Sequence, residues 1–93
     1  MGQVTLSGDI LAPAADLPGL RAGLADHIVA TRNEPGCVSF EMGEDPNHPG
    51  RFNLEEVFAD RDALDQHRAR MQASPWADAS KNIQRHYEIT EES

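Results

Sequence analysis

Hydrophobic positions along the chain change their period several times, and each change predicts a new element. Near the N-terminus, Val4, Leu6 and Ile10 alternate with polar residues. This period of two predicts a half-buried strand over residues 3–11. Gly8 interrupts the apolar side of that strand, which indicates either a bulge or the close approach of another backbone.

A helical period follows the first strand. From Asp16 to about Arg32 the apolar residues recur every three or four positions, which predicts an amphipathic helix. Asp16 is suited to capping its N-terminus, and Pro18 is tolerated in the first turn because that N–H has no helical partner. Pro35 ends the helix by keeping Glu34 out of the helical region.

Two further strands are predicted over residues 37–43 and 51–59, joined by a turn rich in proline, glycine and aspartate at 45–50. The connection is short enough for an antiparallel hairpin. Alternation gives each strand an apolar face, composed of Val38, Phe40 and Met42 on the first strand and of Phe52, Leu54, Glu56 and Phe58 on the second.

A second helix is predicted over residues 61–72, capped by Asp60, and Ser74-Pro75 opens another short helix. Over residues 83–90 apolar and polar residues alternate again, which predicts a fourth strand. The order of strand, helix, two strands, helix and strand predicts an α+β fold of the ferredoxin-like type in a single domain, 1–93. Its four-stranded antiparallel sheet carries helices on one face, and the other face must meet solvent or another subunit.

Composition supports the expectation of a partner subunit. Hydrophobic residues make up 39% of 93 residues, below the ~45–50% that is usual for a soluble domain. A chain of this size buries only ~60–65% of its unfolded surface, so its own core is modest. We therefore expect a homodimer.

Charge and cysteine content exclude several classes of function. The net charge of −8 repels phosphate backbones and anionic lipid headgroups, which argues against nucleic-acid and membrane partners. The N-terminal segment lacks the basic start and the apolar run of a signal peptide. Cys37 is the one cysteine, which excludes an internal disulfide and fits a cytoplasmic location.

One carboxylate is predicted on an apolar face. Glu56 shares its strand face with three large apolar residues, where an unpaired charge costs several kcal/mol. His67 lies on the apolar stripe of the next helix and is a suitable partner. Such a pair orients the imidazole and raises its basicity, as a general base requires. On spacing alone, however, a structural pair tying helix to sheet is the more common arrangement.

The remaining candidates have a weaker signal. His27 follows its helix stripe only loosely and is expected to be half exposed, while His48 and His86 are expected at solvent or interface positions. No two histidines have the helical spacing of zinc ligands, so no metal site is predicted. Cys37 is expected to be an inert packing residue. Large aromatic residues are candidates for lining a substrate pocket, although on spacing alone such residues are more commonly plain core.

Three segments resemble the antibiotic biosynthesis monooxygenase superfamily. The stretch from Thr31 to Phe40 is similar to its R-x-E-P-G-C-x-x-[FY] motif, and the stretch from Phe52 to Asp60 is similar to its F-x-L-x-E-x-[WYF]-x-[DS] strand. Ala63-Leu64 followed by His67 resembles its A-[LF]-x-x-H helix. The segments occur in the family's order and spacing over nearly the whole chain.

The resemblance implies a dimeric α+β barrel in which two sheets pack face to face, with a pocket between sheet and helices. Members include cofactor-independent monooxygenases of anthrones and quinols, haem-degrading enzymes and an isomerase. The haem-degrading branch carries an Asn on the first strand and a Trp where His67 stands, which this sequence lacks. Phe58 replaces a Trp common in the anthrone oxygenases.

The expected function is therefore oxidation of a small aromatic, quinol-like or anthrone-like substrate by molecular oxygen, without a cofactor. His67 and Glu56 match the family motif and are the expected catalytic residues. Isomerisation of a small metabolite, or ligand binding without turnover, remains open on the same fold. The predicted substrate-binding residues are Phe40, Phe52, Phe58 and Trp76.

Overall fold

The computed structural model describes residues 2–92 as an antiparallel sheet with helices packed on one face. The elements, in chain order, are β1 (Val4–Leu11), α1 (Leu17–Arg32), β2 (Cys37–Glu44), β3 (Arg51–Phe58), α2 (Arg61–Gln72), α3 (Pro75–Ala79) and β4 (Gln84–Glu91). The strands lie in the order β2-β3-β1-β4, which is the ferredoxin-like order, and every neighbouring pair is antiparallel. The α+β class is thus confirmed.

Each predicted element is present, with ends that move by one or two residues. The first helix begins later than predicted, because residues 14–16 form a separate 3-10 turn. Asp16 precedes α1, but its side chain makes no capping hydrogen bond, contrary to the prediction. Asp60 caps α2 as predicted, since Oδ1 accepts a hydrogen bond from the Ala63 N–H at 2.8 Å.

The core lies between the helices and one sheet face. The predicted alternation on β3 is confirmed, because Phe52, Leu54, Glu56 and Phe58 are all buried while Asn53 and Glu55 are exposed. Side chains from β1, α1, α2 and α3 complete a continuous hydrophobic cluster around them. Within residues 2–92, the other sheet face is covered by no element.

The prediction for Val38 is wrong. Cys37 pairs with Phe58 and Ser39 pairs with Val57, so Val38 is the additional residue of a β-bulge. The bulge changes the alternation at the start of β2, and Val38 is 53% exposed. Phe40 and Met42 nevertheless keep the predicted face, because the register is regular beyond the bulge.

Two glycines are required by close packing. Gly8 has φ +151°, and a Cβ atom there would lie 2.2 Å from the carbonyl oxygen of His86 on β4. This is the close approach predicted for that position. Gly36 has φ +89°, and its Cβ would lie 2.6 Å from that of Ala63, so a side chain there would push α2 away from the turn after α1.

None of the helices within residues 2–92 has the length and apolar character needed to cross a bilayer.

Candidate functional site

The site lies where α1, α2 and the inner face of β3 meet. His67 projects from α2 and is 4% exposed, and Glu56 projects from β3 and is 5% exposed. The inward face of β3 and the apolar stripe of α2 therefore bring together the two side chains that the sequence predicted as neighbours. Their closest atoms, Nε2 of His67 and Oε1 of Glu56, are 3.8 Å apart, which is too long for a hydrogen bond.

A different carboxylate holds the imidazole. Nδ1 of His67 lies 2.8 Å from Oε1 of Glu34, in the turn that follows α1. Glu34 also accepts a hydrogen bond from Arg70, and Arg70 in turn donates to Oγ1 of Thr31 at 3.1 Å. A carboxylate paired with a guanidinium acts as an acceptor, so Nδ1 of His67 carries the hydrogen.

This bond defines the state of the other ring nitrogen. With the hydrogen on Nδ1, Nε2 of a neutral His67 has a free lone pair directed toward Glu56. Burial lowers the pKa of His67, while the bond to Glu34 partly offsets that effect. The imidazole is thus neutral near neutral pH, oriented by one carboxylate and free to accept a proton at Nε2.

Glu56 is a buried carboxyl group with an unsatisfied oxygen. Among the described residues, its Oε1 has no hydrogen-bond partner. Burial raises the pKa of Glu56 to about 7, with a smaller contribution from the negative charge of Glu34, and the positive charge of Arg68 opposes the rise. Near neutral pH the group is therefore divided between the carboxylic acid and the carboxylate.

Aromatic rings surround the imidazole. The ring of Phe58 lies 5.0 Å from that of His67, and the ring of Phe40 lies 6.1 Å from it, measured between centroids. Both phenylalanines are fully buried, as is Phe52. They form the apolar surroundings that disfavour charge on His67 and Glu56. Their role as substrate contacts stays a prediction.

His27 also belongs to the site, and the exposure predicted for it from the sequence is wrong. It is 5% exposed rather than half exposed. Its ring stacks on Trp76 with a centroid distance of 4.5 Å and an interplanar angle of 5°, and it lies 6.1 Å from His67. Burial lowers the pKa of His27 to about 4, and the neighbouring His67 and Arg70 add to that effect.

A small space adjoins these groups. We call it the inner cavity; it lies between sheet and helices and has a volume of about 50 Å³. Of the four predicted substrate-binding residues, Trp76 is the one that lines it. The lining also includes Leu54 and Glu56 of β3, His67 and Met71 of α2, and His27 of α1.

The remaining candidates lie away from this site. His48 is exposed in the β2–β3 turn, and His86 is exposed on β4, 3.5 Å from Asp9. Cys37 is half-buried, and burial raises the pKa of its thiol, which fits inert packing. Among residues 2–92, no group of three or more His, Cys, Asp or Glu side chains is arranged to hold a metal ion.

Sequence reasoning missed Glu34 and Arg70 because nothing periodic marks them. Glu34 lies in a turn 33 residues before His67, and Arg70 is one helical turn beyond it on a mostly polar helix. The available signal was the position of Glu34, the acidic residue directly before Pro35-Gly36 in the R-x-E-P-G-C-x-x-[FY] motif.

Several solved structures share this fold. A protein from Deinococcus radiodurans, named provisionally as an antibiotic biosynthesis monooxygenase, is 28% identical to this chain with a TM-score of 0.72, over 98% of this chain and 90% of its own. A protein from Shewanella oneidensis is 24% identical, with a TM-score of 0.71 over 98% and 91% of the two chains. A protein from Nitrosomonas europaea with the same provisional name is 16% identical, with a TM-score of 0.74 over 98% and 88%.

A search of curated proteins finds no significant match. The sequence profile of the antibiotic biosynthesis monooxygenase family, by contrast, matches residues 12–85, which is most of the chain and includes Glu34, Glu56 and His67. The chain therefore belongs to the antibiotic biosynthesis monooxygenase family.

Proposed function

We propose that this protein is a monooxygenase that uses His67 to deprotonate a small aromatic substrate, which then reacts with molecular oxygen. The observation that supports the proposal most directly is the asymmetric placement of the imidazole. Nδ1 is bound to Glu34, while Nε2 lies 3.8 Å from Oε1 of Glu56, beyond hydrogen-bond distance, and His67 lines the inner cavity. A general base needs this combination of a fixed ring and an available lone pair.

The first step is removal of one proton from an anthrone-like carbon or a quinol hydroxyl by Nε2. Glu34 stabilises the imidazolium that forms, as a carboxylate does at the Nδ1–H of a catalytic histidine. The apolar surroundings from Phe40 and Phe58 keep bulk water from competing for that proton. The product of this step is an electron-rich anion.

Oxygen then accepts the substrate's own electrons. For an anthrone, the anion passes one electron to oxygen, and the substrate radical and superoxide combine to form a carbon–oxygen bond. The peroxide takes up a proton, which the acid form of Glu56 is placed to supply. Loss of the second carbon-bound proton breaks the oxygen–oxygen bond. The substrate CH₂ becomes a carbonyl, the second oxygen atom leaves as water, and no cofactor is needed for the balance.

Oxygen consumption by the purified protein tests this function. With an anthrone and with a naphthohydroquinone as substrates, we expect protein-dependent oxygen uptake that falls by about 10²–10⁴-fold in His67→Ala, the usual contribution of a general base. His48→Ala is the matched control, because His48 is exposed in a turn remote from the site. Equal uptake by His67→Ala and His48→Ala would refute the role of His67.

One observation favours a second candidate function. Glu56 and His67 face each other at 3.8 Å, and the carboxyl group is partly protonated near neutral pH. A base and an acid on one cavity are also suited to moving a proton between two substrate positions, as in isomerisation. Such a reaction would exchange substrate hydrogen for solvent deuterium without consuming oxygen.

We also propose that the protein is a homodimer joined through the open sheet face. Val57 lies on that face, opposite Thr5 of β1, with no helix above it. Val57→Glu would add a charge where the two sheets meet and should shift the dimer toward monomer in analytical ultracentrifugation. Val29→Glu, on the outer side of α1 and 58% exposed, is the matched control and should leave the assembly unchanged. The same assembly for both variants would refute this interface.

A further inference from the structure

The inner cavity is too small for the substrates considered above. Its volume is about 50 Å³. An apolar cavity that holds benzene has a volume of ~150 Å³, about three times as large, so an aromatic ring does not fit beside His67 as the residues stand. Any aromatic substrate therefore needs additional space that is continuous with this cavity.

A larger space lies on the other side of the same wall. We call it the outer groove; it runs between α1 and α3 and has a volume of about 450 Å³. That volume is within the ~300–1,000 Å³ range of small-molecule sites. Small residues of α1 form one side of the groove. A Cβ atom added at Gly23 would lie 3.5 Å from the ring of Trp76. The groove is lined on α1 by Gly19, Ala22, Gly23 and Ala30 and on α3 by Pro75, Trp76 and Ala79, and the charged side chains of Asp26 and Arg70 also border it.

His27 and Trp76 line both spaces. Their stacked rings thus form the partition between the outer groove and the inner cavity. His27 is fixed on the sixteen-residue helix α1, whereas Trp76 belongs to the five-residue helix α3. The shorter element is the one that can shift at lower cost, because fewer backbone hydrogen bonds hold it. Displacing Trp76 would join the two spaces.

The partition also carries an unsatisfied polar atom. Nδ1 of His27 is buried and has no hydrogen-bond partner among the described residues. A buried ring nitrogen without a partner costs free energy, which a ligand hydroxyl group can recover once displacement of Trp76 uncovers the nitrogen. The flat surfaces of the imidazole and indole rings suit a planar aromatic ligand.

Building on the proposed function, we propose that the outer groove binds the fused-ring part of the substrate. His27 is the polar contact at the inner end of the groove, and Trp76 is the movable wall between the groove and His67. The ligand class is a planar, uncharged aromatic of two or more rings that carries a hydroxyl group. In this arrangement the ring system occupies the groove, and its reactive edge reaches Nε2 of His67 through the space that Trp76 vacates.

Naphthol, a two-ring phenol, tests the groove by direct binding under anaerobic conditions. Trp76 is the one tryptophan of the chain, so its indole N–H gives a single, assigned resonance in a ¹⁵N-labelled sample. We expect naphthol to shift this resonance and to bind measurably in calorimetry. Ala22→Leu, which fills the groove, should weaken naphthol binding by about 10-fold or more, a cost of ~1.4 kcal/mol. Ala25→Leu is the matched control, because Ala25 is exposed on α1 outside the groove lining.

The outcomes separate the groove from the reaction. Equal naphthol affinity in Ala22→Leu and Ala25→Leu, or an indole resonance that naphthol does not move, would overturn the groove proposal. Thermal unfolding of both variants verifies that they are folded. If naphthol binding depends on Ala22 but no quinol or anthrone supports oxygen uptake, the proposed function fails and the binding site stands. His67→Ala should retain naphthol binding in either case, since the fused rings lie in the groove.

Discussion

Nδ1 of His67 lies 2.8 Å from Oε1 of Glu34, whereas Nε2 of the same ring lies 3.8 Å from Oε1 of Glu56. One imidazole thus faces two carboxyl groups in different surroundings. Glu34 is tied to Arg70 and holds the ring by a hydrogen bond. Oε1 of Glu56 has no hydrogen-bond partner within residues 2–92, and burial raises the pKa of this group to about 7. Under the proposed function, the first carboxylate positions the base and the second supplies a proton.

Glu34→Gln tests the positioning role. The substitution keeps the size of the side chain and an oxygen that can accept a hydrogen bond from Nδ1, but it removes the negative charge that raises the pKa of His67. We expect oxygen uptake to fall by about 10–100-fold, as is typical when a supporting partner of a functional histidine is lost. Because the neutral imidazole is the active form, the acid limb of the pH–rate profile should also move to lower pH.

The matched control for that variant is Glu41→Gln. It also removes the carboxylate of an Arg–Glu pair, but at an exposed position on β2 that pairs with Arg32. Its rate and its pH profile should match those of the wild type. A Glu34→Gln enzyme with reduced activity but an unmoved acid limb would contradict the electrostatic role, because a purely structural defect lowers the rate without shifting the pKa of His67.

Glu56 should make folding stability decrease with pH. Its pKa is about 7 in the folded chain, whereas the ordinary value for a glutamate side chain is 4.5. The folded state therefore holds the proton more tightly than the unfolded chain, and the stabilisation is complete below pH 4.5 and lost as pH rises through 7. Between those limits the free energy of unfolding falls by on the order of 3 kcal/mol.

Urea unfolding of Glu56→Gln and of the wild type at several pH values measures this effect. The free energy of unfolding of the variant relative to the wild type should rise from about pH 5 to about pH 8 by on the order of 2 kcal/mol, because glutamine cannot ionise. Glu55→Gln is the control, because Glu55 is adjacent to Glu56 in sequence but is exposed on the opposite face of β3. A pH-independent difference for Glu56→Gln would show that burial does not perturb this carboxyl group.

The sequence predicted those parts of the site that depend on local periodicity. Alternation along β3 placed Glu56 on the inner face, and the helical stripe of α2 placed His67 opposite it. Contacts between segments that are distant in the sequence could not be predicted from periodicity. The bond between Glu34 and His67 joins a turn to a helix 33 residues away, and no period connects them. The bulge at Val38 and the burial of His27 under Trp76 likewise arise from packing between distant segments.

His27 should have the opposite pH dependence to Glu56. Its pKa is lowered to about 4 by burial, from an ordinary value of 6.5. The unfolded chain therefore binds the proton more tightly, and stability is lost as pH falls from 6.5 to about 4. His27→Phe keeps a ring to stack on Trp76 and removes the titration. Relative to the wild type, its free energy of unfolding should increase as pH falls across that range. A constant difference for His27→Phe would contradict the assignment.

Gly8 controls the distance between β1 and β4. A methyl group there would lie 2.2 Å from the carbonyl oxygen of His86, and φ +151° is unfavourable for an L-residue. We expect Gly8→Ala to destabilise the protein by about 2–4 kcal/mol, because the sheet backbone itself must move. Gly43→Ala is the matched control in the same sheet. An added Cβ at Gly43 meets nothing within 4 Å, so that variant should stay within about 0.5 kcal/mol of the wild type. Comparable unfolding free energies for the two variants would show that β4 can be displaced from β1 at little cost, and that the close approach at Gly8 does not determine how the edge strand is held.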